Sequence, residues 1–320
     1  MTRVTVGGRI HFGFQNLSLA HDRLYGGVGV GLSEPRLVLT AQPADDVSCD
    51  WPAVAAYVAR AVDVLGVPGA DVTVEQRLPR HVGFGSGTRL ALASLVAVAR
   101  AYDRSVDVRD VAPDLGRGGR SGVGIATFEA GGFVVDAGHP TELFTSAPPA
   151  EGEWTVPPVV ARHDVPGTWR FLLVTPDVER GRSGDPEDAS IRSVVERADP
   201  GIADDIALVL TRQLLPAIAT GDYETFGRAV ARLSRLNGAW YADEQGGVYR
   251  PPAGRLIDAL DSIPGISGAG QSSWGPTVYG ITHASTADTA ERMARDALAD
   301  LGLDGTVRLV EAATTGASVD

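Results

Sequence analysis

The chain has 320 residues, enough for two domains of ordinary size sharing a cleft or for one large α/β unit. Acidic residues outnumber basic ones 40 to 28, the net charge is −12, and every cation is an arginine, because the sequence contains no lysine. Lysine-dependent chemistry is thereby excluded, and negative charge without basic blocks argues against a general nucleic-acid binder, whose phosphate contacts need clustered cations.

In chain order, Val4 to Phe12 alternates polar and apolar side chains as a strand does, and Gly26 to Leu32 and Arg36 to Ala41 read as two short strands broken at Glu34-Pro35. Trp51 to Leu65 has helical spacing through Val54, Val58, Ala61, Val62 and Leu65, and stops at Gly66-Val67-Pro68-Gly69. A strand at Asp71 to Arg77 leads into the loop Gly83-Phe84-Gly85-Ser86-Gly87-Thr88, and Leu92, Leu95, Val96, Ala99 and Tyr102 then mark one face of a second helix. Ile125 to Phe128 and Phe133 to Val135 read as a strand pair turned at Gly131-Gly132. The Pro-, Ala- and Glu-rich stretch Thr145 to Pro158 reads as a connector, which divides the chain into residues 1–155 and 156–320. Beyond it a strand at Arg170 to Thr175 precedes helices at Ile202 to Ala219, Tyr223 to Leu236 and Pro252 to Leu260. Strands at Gly265 to Gly268 and Thr277 to Thr282, a helix at Thr286 to Leu301 and a strand at Thr306 to Glu311 finish a β-α-β-β-α-β order.

The single cysteine, Cys49, excludes an internal disulfide framework and a cysteine zinc cluster, and reads as a small, partly buried residue. Met1 to Phe12 lacks the apolar run of a signal peptide, and the longest uncharged stretch, Ser262 to Ala287, is too rich in Gly, Ser, Thr and Pro for a membrane helix. The expectation is a cytoplasmic protein acting on small molecules, with neither nucleic acid nor membrane as partner, and assembled as a homodimer.

The most informative segment is the loop from Gly83 to Gly87. Its alternate glycines let backbone approach a ligand, and the helix beginning after it aims its free N–H groups there, which suits an anion, above all phosphate. A plain strand-to-helix turn fits the same string. Flanking Arg80, His81 and Arg89, with the hydroxyls of Ser86 and Thr88, favour the phosphate reading, and His81, Gly83, Gly85, Ser86, Gly87 and Thr88 are its candidate residues. A second section, Gly116 to Gly122, places Arg117 and Arg120 on flexible backbone, where their planar forks match phosphate or carboxylate oxygens. A third, Gly268 to Pro276, carries no charge, reads as a ligand-facing loop or a plain hairpin, and offers Trp274 for stacking beside Gln271, Ser272 and Ser273. Glu129 and Asp136 are candidate ligands for Mg²⁺, which takes one or two carboxylates alongside phosphate oxygens.

Three glycine motifs in this order resemble the GHMP superfamily of small-molecule kinases. The resemblance implies an α+β fold in which a ribosomal-protein-S5-like N-terminal domain precedes a ferredoxin-like C-terminal one. One position departs from the kinases: where their Pro-Ser-Gly-x-Asp segment supplies an aspartate, the matching stretch Arg120-Ser121-Gly122-Val123-Gly124 has Gly124. Without that aspartate and without lysine the usual pair of phosphoryl transfer cannot be assembled.

Four longer segments are similar to a non-kinase branch, the β-ribofuranosylaminobenzene 5′-phosphate synthase family: Gly8 to Leu17, Tyr25 to Gly29, Leu115 to Gly124 and Phe128 to Asp136. That resemblance implies condensation of 5-phosphoribosyl 1-pyrophosphate with 4-hydroxybenzoate or 4-aminobenzoate, loss of pyrophosphate and CO₂, and service in the methanopterin pathway. It also implies that His11, Asn16 and Arg23 of the N-terminal segments and Arg117, Arg120 and Ser121 of the third carry the reaction, with Tyr25, Gln271, Ser272, Ser273 and Trp274 around the substrates and Mg²⁺ as cofactor. An atypical GHMP kinase using ATP and a non-catalytic phosphate-ligand binder are the alternatives.

Overall fold

The structure is a computed structural model that describes residues 1–144, 153–179 and 185–320, so most of the connector expected at Thr145 to Pro158 lies outside the described residues. The first unit runs β1 (Thr2–Asn16), β2 (Arg23–Pro43), β3 (Val47–Cys49), α1 (Pro52–Leu65), β4 (Ala70–Gln76), α2 (Ser86–Ala101), α3 (Val108–Val111), α4 (Val123–Ala130), β5 (Phe133–Asp136), β6 (His139–Pro140) and β7 (Val159–His163). Its sheet has the order β12-β1-β2-β4-β3, where β12 (Ser318–Val319) comes from the far end of the chain, β5 pairs with the first half of β2, and β7 pairs with β5. The second unit runs β8 (Trp169–Pro176), α5 (Asp185–Arg197), α6 (Pro200–Val209), a wide π turn at Leu210–Leu214, α7 (Leu215–Thr220), α8 (Tyr223–Trp240), α9 (Ala242–Gln245), α10 (Ala253–Asp261), β9 (Ile266–Gln271), β10 (Val278–His283), α11 (Ala287–Asp300) and β11 (Gly305–Val310). Its antiparallel sheet is ordered β11-β8-β10-β9, the ferredoxin-like arrangement that the β-α-β-β-α-β order requires.

Burial explains why these segments take these forms. Along β1, Val4, Val6, Ile10 and Phe12 are buried while Arg3 is exposed and Thr5 and Arg9 are half-buried, the period of a strand with one covered face. At His11 the alternation ends and both faces are covered. Helix α2 is buried nearly all round from Arg89 to Ala99, because it lies between the sheet, α1 and α4. Burying each of Leu90, Leu92 and Leu95 contributes about 1.5–3 kcal/mol. Phe12 joins the two units: its ring lies 6.2 Å edge-to-face from Phe226 of α8 and 5.2 Å from Tyr279 of β10.

Several local readings change. Ile125 to Phe128 is helix α4 rather than a strand, with the Ile125 and Ala126 amides donating to the Gly122 carbonyl. The two strands expected on either side of Glu34-Pro35 are one strand, β2, and Pro35 falls in the irregularity between Gly7 and Arg9 of β1, where the ladder asks no N–H of it. Residues 159–163, assigned by composition to the second unit, pair with β5 of the first sheet. Helix α5 had no sequence counterpart. No helix among the described residues is long and apolar enough to cross a membrane.

Candidate active site

The turn from β4 into α2 is shaped by residues that other elements press upon. Gly83 (φ 107°) lies against the hairpin between β9 and β10, where a Cβ would stand 2.7 Å from the Ser272 carbonyl oxygen. Gly85, in the left-handed region at φ 68°, is the N-cap of α2, and the Arg9 side chain crosses directly over it. Arg9 donates from Nη1 to the Gly83 carbonyl at 3.0 Å, and the Ser272 hydroxyl donates to the same oxygen at 2.8 Å. Three segments separated by as much as 261 residues are thus clamped on one loop, since the His11 amide also donates to Ser272 Oγ at 3.3 Å.

The start of α2 faces a cation. A Cβ on Gly87 would stand 3.2 Å from Nη1 of Arg117, so that guanidinium lies against the first turn, 5.6 Å from the Tyr57 ring centroid. Nε of Arg117 is buried and has no hydrogen-bond partner among the described residues. Gly85 has no side chain to cap α2, and the opening N–H groups of a helix have no intrahelical acceptor. Partial positive charge from the dipole, a guanidinium and unclaimed donors give this end the character that suits an anion.

Helix α4 begins beside it: a Cβ on Gly124 would touch Thr88 Cγ2 at 3.2 Å. Here the donors are already used. Asp136 accepts from the Ser121 hydroxyl at 3.0 Å and from the Gly122 and Gly138 amides at 2.8 and 2.9 Å, and Ser121 Oγ accepts from the Val123 amide at 3.2 Å. Burial raises the Asp136 carboxyl to about 6 in spite of those bonds. Arg89 lies wholly inside, donating to the Gly7 carbonyl at 2.8 Å, to Thr127 Oγ1 at 2.9 Å and to the Gly124 carbonyl. Burial and the nearby Arg9 charge pull it down to about 9, still cationic at neutral pH. Arg89 therefore ties α2 to β1 and α4 and does not flank the phosphate loop as the sequence suggested.

On the other side of Ser272 a groove opens between β1 and the second unit, lined by His11, Phe14, Asn237, Tyr241, Gln271 and Trp274, among others. Asn237 of α8 holds its floor, accepting from the Phe14 amide at 2.6 Å and donating to the Phe14 carbonyl at 2.9 Å. The Tyr241 and Trp274 rings meet edge-to-face at 4.7 Å. Gln271 accepts from the Arg250 amide and donates to the Ser273 and Gly275 carbonyls.

The sequence candidates therefore separate. His81 (φ 60°), Gly83, Gly85, Ser86, Gly87 and Thr88 surround the anion end with Arg117, and Ser272 braces it. His11, Gln271, Ser273 and Trp274 line the groove. Tyr25 is buried, its phenol pushed up by that burial against the pull of the Arg120 charge, and its ring lies 5.5 Å from Phe14. Asn16 and Arg23 serve the chain reversal after β1: Asn16 donates to the Ser18 and Arg23 carbonyls, and Arg23 to those of Ala137 and Gly138. Glu129 and Asp136 do not fit a metal. Glu129 is ion-paired with Arg109 at 2.8 Å, Asp136 is filled by its donors, and no group of three His, Cys, Asp or Glu gathers among the described residues. Arg9, Asn237 and Tyr241 were not singled out from the sequence, and only the motif around His11 pointed at Arg9.

Residues 53–132 match the model for the GHMP kinases N terminal domain, and residues 214–300 that for the GHMP kinases C terminal. The β-ribofuranosylphenol 5′-phosphate synthase of Methanothermobacter thermautotrophicus is 32% identical over 308 residues, 91% of this chain and 92% of the relative. The protein of the same name from Archaeoglobus fulgidus is 31% identical over 331 residues, with both chains covered in full. Mevalonate pyrophosphate decarboxylase from Streptococcus pyogenes superposes with a TM-score of 0.69 at 10% identity, over 98% of this chain and 97% of that one, which shows the shared fold. Likeness of this extent to both relatives, on the two GHMP domains, decides the matter: the chain belongs to the β-ribofuranosylphenol 5′-phosphate synthase family of the GHMP kinase superfamily.

Proposed function

We propose that the chain is a decarboxylating ribosyltransferase, joining 5-phosphoribosyl 1-pyrophosphate to a 4-substituted benzoate in the making of a tetrahydromethanopterin-type pterin. The observation that carries this reading is the open N-terminus of α2 with Arg117 against it, beside an α4 that bears Gly124 where a kinase would hold its carboxylate. Diphosphate oxygens would accept from the α2 amides and from Arg117, and Arg120 in the same loop would add a second guanidinium. As the C1′–O bond breaks, its electron pair leaves with pyrophosphate, and the resulting oxocarbenium-like ribose is attacked by the ring carbon bearing the carboxylate. The C–CO₂ bond then breaks, its electron pair restores aromaticity, and CO₂ departs. No proton has to be taken from an acceptor hydroxyl, so Gly124 in place of a carboxylate costs this reaction nothing. Mg²⁺ belongs to this proposal only as the companion of the diphosphate substrate, because Glu129 and Asp136 are otherwise engaged. The relatives are named for a ribofuranosylphenol product, which supports 4-hydroxybenzoate over the 4-amino acid.

The test is direct. Carboxyl-labelled 4-hydroxybenzoate with 5-phosphoribosyl 1-pyrophosphate should release labelled CO₂ and pyrophosphate in equal amounts. No release with either acid, together with ATP consumption on a small alcohol, would replace this reading by the kinase.

A further inference from the structure

His11 brings a buried polar atom to the groove side of Ser272. His11 is 5% exposed, and its Nε2 has no hydrogen-bond partner among the described residues. A buried ring nitrogen left unpaired costs stability that a ligand could return. The ring lies edge-on to Phe14 at 4.9 Å and borders the groove between β1 and α8. Burial and the Arg9 charge hold its imidazole down at about 3, so it is neutral at any working pH.

The rest of the groove narrows what could meet that nitrogen. The amides of Asn237 and Gln271 are committed to backbone groups, the rings of Phe14, Tyr241 and Trp274 supply flat wall, and the Tyr241 hydroxyl and Ser273 add neutral polar atoms. Among the described residues no arginine lines it, so a carboxylate would be desolvated there without a partner. Arg9 and Arg117 lie by the start of α2, and Ser272, bonded to both the Gly83 carbonyl and the His11 amide, links that turn to the groove. The groove thus suits an aromatic ring that carries a neutral polar substituent inside and keeps its charged end outside.

Resting on the ribosyltransferase reading, we propose that this groove is the acceptor subsite: the benzoate ring lies against Phe14 and Trp274, its 4-substituent hydrogen-bonds to His11 Nε2, and its carboxylate-bearing carbon faces the anion end. A neutral imidazole can accept from a phenol or an aniline N–H in one tautomer and donate in the other. His11 would act here by holding the acceptor, not by moving a proton.

Calorimetric titration of the whole chain, with pyrophosphate saturating the anion end, compares 4-hydroxybenzoate, 4-aminobenzoate and unsubstituted benzoate. The wild-type chain should bind both substituted acids about tenfold more tightly than benzoate, the value of one hydrogen bond. His11→Phe should erase that preference, His11→Gln should retain part of it, and Trp274→Ala should weaken all three acids alike. Equal affinities in the wild-type chain, which need no variant to fold, would overturn the subsite, as would no binding of any acid or a preference that survives His11→Phe. Binding with the expected preference but without CO₂ release would keep the subsite and discard the reaction. CO₂ release with the preference intact in His11→Phe would do the reverse.

Discussion

Helices α2 and α4 start side by side, both on glycine-rich turns, and differ in who satisfies their first N–H groups. At α4 the chain does so itself, through Asp136 and Ser121. At α2 the cap is Gly85, which has no side chain to offer, and a guanidinium waits nearby. The same backbone device is closed by a buried carboxylate in one place and left uncapped by any side chain in the other. A helix N-terminus becomes a site when the fold declines to cap it.

The sharpest way to break this comparison is to remove the tie between the two helices. Arg89→Met keeps most of the side-chain volume but strips donors from the Gly7, Gly8 and Gly124 carbonyls and from Thr127 Oγ1. Leaving buried acceptors unpaired should cost about 3–5 kcal/mol. Urea unfolding measures it, and a midpoint close to that of the wild-type chain would show that water takes over those carbonyls.

Next in size is the charge that closes α4. Asp136 stands at about 6 in the fold against an ordinary 3.8, so on acidification the native state takes up this proton before the unfolded chain does. Its stabilising contribution is complete below about 3.8 and is lost as the pH rises through about 6. A shift of that size is worth about 3 kcal/mol. Asp136→Asn cannot titrate and turns an amide donor toward groups that are themselves donors. The stability gap between wild type and variant should therefore widen as the pH falls from 7 to 4, by up to that amount. A gap independent of pH would mean that the Asp136 carboxyl titrates in the fold as it does in the unfolded chain, better solvated than its burial implies.

Much of this architecture was legible in the chain, and the exceptions share a cause. Long periodic segments such as α2, α8 and β8 announce themselves because one face or both must be apolar. Ile125 to Phe128 is a short apolar run containing β-branched residues and looks like strand; only its packing on every side, with Val123, Ile125, Ala126, Thr127 and Phe128 all buried, decides for helix. β7 and β12 are edge strands of five and two residues, mostly exposed, and leave no apolar pattern. At the site, the glycine loop and Arg117 could be read locally. The groove could not, because Asn237 meets Phe14 across 223 residues and nothing in either neighbourhood marks the pairing. Arg89 misled for the opposite reason: an arginine after a phosphate loop looks like a ligand until its fork is seen to be spent on carbonyls.

The open helix can be tested without touching its backbone. Arg117→Ala removes the guanidinium at Gly87 together with its contact with Tyr57. Each lost charge-assisted hydrogen bond to a diphosphate should cost about 1.5–3 kcal/mol, seen as a weaker pyrophosphate inhibition constant and a shallower dependence on salt. The melting temperature should change little, since Nε of Arg117 holds nothing in the fold among the described residues. If the variant melted early but bound pyrophosphate normally, Arg117 would belong to the scaffold beside Arg89, and the contrast between the two helices would lose its cation.

The finest test lies at Gly124, where the two helices touch. Its φ is not in the left-handed region, so a side chain is permitted by the backbone, and the only constraint in view is Thr88 Cγ2 at 3.2 Å from a Cβ. Gly124→Ala exchanges that tight contact for the helix propensity that glycine lacks, up to about 1 kcal/mol, so the stability change should stay within about 1 kcal/mol of zero and turnover should nearly persist. Gly124→Asp has the same Cβ and adds a carboxylate in the first turn of α4, which the dipole there favours by about 0.3–1 kcal/mol. That carboxylate would lie against the first turn of α2 and compete with the diphosphate for its donors. Turnover should fall at least about tenfold while the fold holds, and no ATP-dependent phosphorylation should appear, because the chain has no lysine to accompany the new acid. Equal damage from Ala and Asp, read from labelled CO₂ release beside a thermal melt, would trace the effect to Thr88 being pushed aside. Damage from Asp alone would show that what distinguishes α2 from α4 is an anion site that a single carboxylate can fill.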